Sequence, residues 1–114
     1  MELDRLTFVK GAETSEIPLG QMKVVEIAEK EVLIANVNGV YYAIENSCTH
    51  MLGDLSKGNL EGNTLTCPKH KAKFDVTTGK VISGPKIPLI HPKIKDEPVY
   101  TVKVEGKDIL IKAQ

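Results

Sequence analysis

Short runs of apolar and β-branched residues, separated by turn signals, recur along the chain and predict an almost wholly β structure. The predicted strands are Arg5 to Val9, Lys23 to Ile27, Val32 to Val37, Val40 to Glu45, Ala72 to Val76, Lys80 to Ile82, Val99 to Val104 and Ile109 to Lys112, with shorter segments at Leu60 and at Thr64 to Thr66. Asn38-Gly39 supplies the positive φ angles of a type I′ turn and predicts a hairpin. Glu61-Gly62-Asn63 and Glu105-Gly106-Lys107 predict two further turns.

A proline-rich stretch interrupts this pattern. Four of the six prolines, Pro85, Pro88, Pro92 and Pro98, fall within it and exclude a central strand there. The stretch also contains His91, which we interpret as an ordinary surface or packing residue.

The size of the chain, 114 residues, predicts one domain without repeats or an interdomain linker. We expect residues 44 to 87 to form a small three-stranded unit, and the flanks, about 1 to 43 and 88 to 114, to form base sheets. Residues Met1 to Lys10 contain no long hydrophobic region, so they predict neither a signal peptide nor a membrane span. We therefore expect a cytoplasmic protein.

Charge is balanced overall but uneven along the chain. Fifteen basic and fifteen acidic side chains cancel, and only 4% of residues are aromatic, so nothing in the totals indicates nucleic-acid binding. Between Cys67 and Lys95, however, seven lysines stand against one aspartate. This local excess predicts a basic surface.

The candidate chemistry lies in two short motifs, Cys48-Thr49-His50 and Cys67-Pro68-Lys69-His70. They use both cysteines and two of the three histidines, with sixteen residues between them. Four such ligands can hold one tetrahedral zinc ion, or they can divide by type between the two irons of a Rieske cluster. A disulfide between the cysteines would leave the matching histidines unexplained, and a chain without an export signal does not favour oxidation.

These motifs, together with Phe74-Asp75 and Ser83-Gly84-Pro85, resemble the small Rieske-type 2Fe-2S ferredoxins over residues 43 to 88. The resemblance implies an antiparallel β-sandwich with a small cluster-binding subdomain at residues 44 to 87. It implies that Cys48 and Cys67 hold one iron of a 2Fe-2S cluster and that His50 and His70 hold the other.

The function that this resemblance implies is one-electron transfer from a reductase to a terminal oxygenase or another oxidoreductase. Such a carrier is not itself an enzyme, and no catalytic dyad or phosphate loop is visible in the sequence. The lysines around His70 predict redox partners with an acidic docking face. Two alternatives remain open, namely a structural zinc-binding interaction module and a Rieske-like small subunit of a reductase such as nitrite reductase.

Four positions indicate the low-potential branch of the family. Gly53 and Lys69 stand where respiratory Rieske proteins have two disulfide-forming cysteines. Ala72 and Phe74 stand where those proteins have hydroxyl donors to sulfur, so we expect a reduction potential in the lower part of the Rieske range. Lys71 departs from the ferredoxin pattern, because glycine usually follows the second histidine. If that glycine serves a positive φ, the backbone here is expected to differ.

Overall fold

The computed structural model describes residues 8–47, 54–68, 71–84 and 95–112, which form three antiparallel sheets. The strands are β1 (Phe8–Glu13), β2 (Met22–Ile27), β3 (Lys30–Val37), β4 (Val40–Glu45), β5 (Asn59–Glu61), β6 (Thr64–Thr66), β7 (Lys73–Asp75), β8 (Val81–Ser83), β9 (Val99–Tyr100), β10 (Val102–Glu105) and β11 (Asp108–Lys112). Short 3₁₀ helices occupy Thr14–Glu16 and Leu55–Lys57. The predicted all-β class with antiparallel pairing is confirmed.

Two of the sheets enclose a common core and form the base of the molecule. The first sheet has the strand order β1-β11-β10, and the second has the order β2-β3-β4-β9. Ile109 and Ile111 of the first sheet lie in one buried cluster with Ile34, Ala43 and Tyr100 of the second. Two sheets that share a core in this way form a sandwich, as the sequence predicts.

Strand β3 is buried on both faces, which explains why its sequence is apolar without strict alternation. Val32 and Ile34 belong to the core between the two base sheets. Leu33, Ala35 and Val37 point to the opposite face and join a second cluster. Because successive side chains of a strand point to opposite faces, one continuous apolar run serves both clusters.

The third sheet packs on this second face of β3. Its strand order is β5-β6-β7-β8, and Leu65, Phe74 and Val76 from this part of the chain lie in the cluster of Leu33. The prediction of three strands between residues 44 and 87 is therefore wrong, because Asn59–Glu61 pairs along its whole length with β6. Leu55, in the second 3₁₀ helix, is fully buried in the same cluster.

The predicted strand from Val99 to Val104 is also wrong in detail, because the chain changes sheets at Thr101. Tyr100 pairs with β4 of the second sheet, whereas Val102 pairs with β11 of the first. The Thr101 carbonyl accepts a hydrogen bond from the Lys112 amide at 2.9 Å, which fixes the crossing. The strand is interrupted at this residue, where the chain passes from one sheet to the other.

Left-handed residues form the tight turns of the second sheet. Asn38 and Gly39 have φ angles of 54° and 89°, which confirms the predicted type I′ hairpin between β3 and β4. Ala28 and Glu29 have φ angles of 49° and 66° and join β2 to β3 in the same way. The sequence gives no signal for that turn, since it contains neither glycine nor asparagine.

Several predicted features lie outside the described residues. They are most of the strand from Arg5 to Val9, together with Pro85, Pro88, Pro92 and His91. Pro98 is described and lies in no strand, as predicted. In the described part of the chain, no helix has the length and apolar character needed to cross a membrane.

Candidate metal centre

Cys67 lies at the start of the second motif, directly after β6. Its amide donates a hydrogen bond to the Ala72 carbonyl at 2.7 Å, one step beyond the pairing of Thr66 with Lys73. This hydrogen bond joins the two segments one residue beyond β6 and β7, at the ends of the connection that runs from Pro68 to Lys71. Cys67 is 0% exposed and its thiol is free, whereas Lys69 and His70 lie outside the described residues.

Lys71, at the far end of this connection, has a φ angle of 60°. A positive φ here is expected to require glycine, but the chain adopts it with a lysine, at a cost of about 1 kcal/mol relative to glycine. A difference in backbone from glycine-containing relatives stays a prediction. The Cys67–Ala72 hydrogen bond and the β6–β7 pairing follow Lys71 directly and stabilise this conformation.

The loop of the first motif is closed in a similar way. Cys48 and His50 lie outside the described residues, but the residues at its two ends, Ser47 and Asp54, pair in an isolated antiparallel bridge. The Leu55 amide also donates to the Asn46 carbonyl at 2.9 Å. Both candidate ligand loops thus begin and end at hydrogen-bonded pairs.

Asn46 holds the first loop closed with its side chain. It is 2% exposed, its amide nitrogen donates to Asp54 Oδ1 at 2.8 Å, and its Oδ1 accepts from the Ser56 amide at 2.9 Å. The same nitrogen lies 3.2 Å from Glu31 Oε1, which links the loop to β3. We refer to Asn46, Asp54 and Ser56 as the loop clamp.

The loop clamp contains a carboxylate that stays ionised. The Ser56 hydroxyl donates to Asp54 Oδ1 at 2.5 Å, and this bond together with the one from Asn46 holds the pKa of Asp54 below its ordinary value. Hydrogen bonds to the charged form of a carboxyl group favour that form. Sequence reasoning missed the clamp, although the Asp-x-Ser spacing is a known capping pattern that could have indicated it.

The segments that flank the two motifs approach each other at Gly58 and Thr66, and we call this approach the loop junction. Gly58, after the second 3₁₀ helix, lies so near β6 that an added Cβ would be 2.1 Å from the Thr66 carbonyl oxygen. Asn59 then pairs with Thr66, the residue before Cys67. Only glycine permits this approach, and it brings the end of the first loop against the start of the second.

A cleft of about 450 Å³ lies along this junction. It is lined by Lys57, Gly58, Asn59, Thr66, Cys67, Pro68, Lys71 and Lys73. Three of these are lysines and none is acidic. No ion pair joins the three lysines to a carboxylate of the described residues. Sequence reasoning placed Lys71 and Lys73 near the site but missed Lys57, which ends the 3₁₀ helix after the first motif.

The surroundings of Cys67 are apolar on the protein side. Ala72 and Phe74 are 0% exposed and share a buried cluster with Cys67, Leu55 and Leu65. Neither Ala72 nor Phe74 has a side-chain hydroxyl that could donate to sulfur.

The sequence offers two cysteines and two histidines as candidate donors, which is the ligand set of a Rieske cluster and also one that zinc can use. Cys67 is the one donor of the four that the described residues include. Within those residues, no other group of three or more His, Cys, Asp or Glu side chains is placed to hold a metal.

Comparisons with known proteins place the chain among similar sequences and folds. The profile of the Rieske 2Fe-2S domain matches residues 7–93. The ferredoxin component of the naphthalene 1,2-dioxygenase/salicylate 5-hydroxylase systems of a Ralstonia species is 36% identical over 94% of this chain and 96% of its own. The ferredoxin component of the naphthalene 1,2-dioxygenase system of Pseudomonas aeruginosa is 38% identical over 84% of this chain and 86% of its own.

Among solved structures, a chain in the complex of reduced oxygenase and oxidized ferredoxin of carbazole 1,9a-dioxygenase has a similar fold. Its TM-score is 0.83 at 26% identity, and the match covers 95% of this chain and 94% of that one. The likeness therefore extends over the base sheets as well as the third sheet.

Proposed function

Because this chain belongs to the Rieske 2Fe-2S domain family, whose members bind a 2Fe-2S cluster, we propose that it carries single electrons from a reductase to a terminal oxygenase or another oxidoreductase. The observation that supports this best is the close approach of Gly58, which follows the first motif, to Thr66, which precedes Cys67 of the second. The relatives named as ferredoxin components of dioxygenase systems match over nearly their full length.

The proposed ligands are Cys48 and Cys67 on one iron and His50 and His70 on the other. When bound, the cluster accepts and releases one electron. The residues of the chain determine how readily it does so. Two thiolates and two neutral imidazoles give the oxidised cluster a formal charge of zero, whereas four thiolates would give minus two, so reduction is easier with this ligand set. Rieske potentials accordingly lie at about −150 to +300 mV, against about −400 mV for plant-type ferredoxins.

The chain's own role is to position and shield this group rather than to bind a substrate. The apolar wall of Leu55, Ala72 and Phe74 excludes water from the protein side of Cys67. The relatives are carrier components of multi-component oxygenase systems, so catalysis belongs to the partner. The family match favours the 2Fe-2S cluster over structural zinc, the alternative for the same residues.

Two further points belong to this proposal. The cluster-binding part comprises residues 44 to 87, which include the third sheet, and the remainder forms the base. We place the protein in the cytoplasm, because thiolate ligands require cysteines that are kept reduced, as they are there.

The test is the visible and electron paramagnetic resonance spectrum of the purified protein, with its iron and acid-labile sulfide content. We expect two irons and two sulfides per chain and a signal that appears on one-electron reduction. A colourless protein that contains one zinc and no sulfide would overturn the proposal.

The ligand assignment has a matched control in the third histidine. Replacing His50 or His70 with alanine should prevent assembly of a Rieske-type cluster, whereas His91→Ala should leave the spectrum unchanged. Cys48→Ser and Cys67→Ser should largely abolish assembly. Loss of the signal in His91→Ala together with its retention in His70→Ala would contradict the assignment.

A further inference from the structure

The cleft between the two loops has an unusual charge for a protein that is neutral overall. The formal net charge of the chain is zero, yet Lys57, Lys71 and Lys73 all line the same cleft. Lys57 and Lys71 are exposed and Lys73 is half-buried. Three ammonium groups around one concave surface, without an acidic neighbour in its lining, create a local positive field.

The lysines come from separate segments that the fold brings together. Lys57 ends the 3₁₀ helix that follows the first loop, and Lys71 and Lys73 follow the second motif. The φ angle of Lys71 is positive, so glycine would be more favourable at this position. The position nevertheless carries a cationic side chain that lines the cleft. Lysines from both segments thus line the same cleft as Cys67, the described ligand candidate.

We propose that this cleft receives carboxylate side chains of an acidic redox partner, so that the partner docks with its acidic face directly over the loop junction. The proposal rests on the proposed function and adds the chemistry of the partner's surface and the place where it binds. At about 450 Å³, the cleft has the size of small-molecule pockets and admits projecting side chains. Its wall includes Cys67, so a docked carboxylate would lie near the proposed cluster ligand.

The first test uses two small oxidants of opposite charge, tris(oxalato)cobaltate(III), a trianion, and hexaamminecobalt(III), a trication. The reduced protein gives one electron to either complex, and Co(III) becomes Co(II), so the rate is read by stopped-flow absorbance. We expect the rate with the trianion to fall as salt rises, because a field at the cleft is screened over about 8 Å at physiological ionic strength. The rate with the trication should not fall.

The variants test whether the cleft is the origin of this preference. The cleft variant combines Lys57→Glu, Lys71→Glu and Lys73→Glu. Its rate with the trianion at low salt should be about tenfold lower than that of the wild type, which is the lower end of typical steering effects. The control variant, Lys103→Glu with Lys107→Glu and Lys112→Glu, has the same total charge change on β10, on β11 and in the turn between them, and its rate should change little. If the first variant does not fold, the glutamine triple at the same positions should still lower the rate.

A second test uses protein-film voltammetry on gold coated with a carboxylate-terminated monolayer, which imitates an acidic protein surface. The wild type and the control variant should exchange electrons on this film and give a signal. The cleft variant should give none. An ammonium-terminated film should show the reverse order.

The possible outcomes separate the two proposals. A one-electron signal with equal response of the cleft and control variants would overturn the docking site while leaving the carrier function intact. Anion preference in solution without a signal on the carboxylate film would also overturn it, because only small anions would then use the cleft. Absence of any one-electron signal would refute the carrier function itself.

Discussion

Lys71 has an unfavourable backbone conformation, and its charged side chain lines the cleft. At φ 60°, a lysine is less favourable than glycine by about 1 kcal/mol. We therefore expect Lys71→Gly to raise the free energy of unfolding by about that amount, or the thermal midpoint by roughly 4 °C. Lys80→Gly is the control, because Lys80 does not have a positive φ angle. Glycine there should lower the thermal midpoint, because it increases the conformational entropy of the unfolded chain. An unchanged or lower midpoint for Lys71→Gly would contradict this account.

Two buried residues beside Cys67 set the expected potential. An O–H donor to sulfur stabilises the reduced state more than the oxidised one, and we assign about 1 kcal/mol to that difference, or roughly 40 mV for one electron. Ala72→Ser and Phe74→Tyr should each raise the midpoint by that much in protein-film voltammetry. Phe8→Tyr adds the same hydroxyl to β1 and should leave the potential unchanged. A wild-type midpoint above about +200 mV, near the top of the family range, would contradict the low-potential assignment.

At the scale of elements, the loop clamp determines how well the first ligand loop is held. Asn46→Ala removes the donor to Asp54 and the acceptor for the Ser56 amide, which should cost about 2 kcal/mol. Because the lost bonds close the loop that carries Cys48 and His50, we expect faster loss of the cluster, followed as bleaching of its visible absorbance.

Asn36 provides the matched control for this prediction. It is also buried, but its side chain bonds to the Ile17 carbonyl and the Gly39 amide, away from both ligand loops. Asn36→Ala should lower the free energy of unfolding without changing the rate of bleaching in the folded protein. Equal bleaching rates in the two variants would show that the clamp has no specific role.

Asp75, at the start of the turn between β7 and β8, should make the stability of the protein depend on pH. Burial alone would raise the pKa of Asp75, but hydrogen bonds from Thr77, Asn63 and Thr78 outweigh it and lower the pKa. A lowered folded-state pKa gives stability that is complete above the ordinary Asp pKa of about 3.9 and is lost as the pH falls through the lowered value.

Asp75→Asn should therefore be less stable than the wild type at pH 7, and the difference should shrink as the pH falls below about 4. Urea unfolding followed by circular dichroism at several pH values measures it. A difference that is constant from pH 7 down to pH 3 would indicate that the charge of Asp75 does not contribute.

The turns and the site show how far the sequence could predict these elements. Asn38-Gly39 predicted its hairpin because those residues favour positive φ, whereas Ala28 and Glu29 adopt the same turn only because β2 and β3 pair around them. The two candidate ligand motifs stand out in the sequence, since cysteine and histidine are rare here, and their role as ligands stays a prediction. The roles of Asn46 and Lys57 could not, because both depend on contacts between segments distant in sequence.

At the scale of the whole molecule, β3 connects the base to the third sheet, and its two faces can be tested separately. Leu33→Ala opens the cluster shared with the third sheet, and Ile34→Ala opens the core between the base sheets. Each should cost about 2–5 kcal/mol. We expect only Leu33→Ala to speed bleaching of the cluster strongly in the folded protein. Equal effects would mean that the two cores are not independent.

The arrangement of the sheets could be predicted in kind but not in detail. Alternation and turn signals gave an all-β fold, and the resemblance gave the sandwich. The chain changes sheets at Thr101 because Tyr100 pairs with β4 and Val102 pairs with β11. The local sequence from Val99 to Val104 does not indicate which strand each residue pairs with.

The pairing of β1 with β11 has a consequence for the order of events during synthesis. It joins residues 8–13 to residues 108–112, so the first sheet stays incomplete until residues 108–112 have left the ribosome. The third sheet needs only residues 59–83, all close in sequence, and such local contacts form fast. The part of the chain that surrounds Cys67 is therefore expected to take shape on the nascent chain, before the base that supports it has closed.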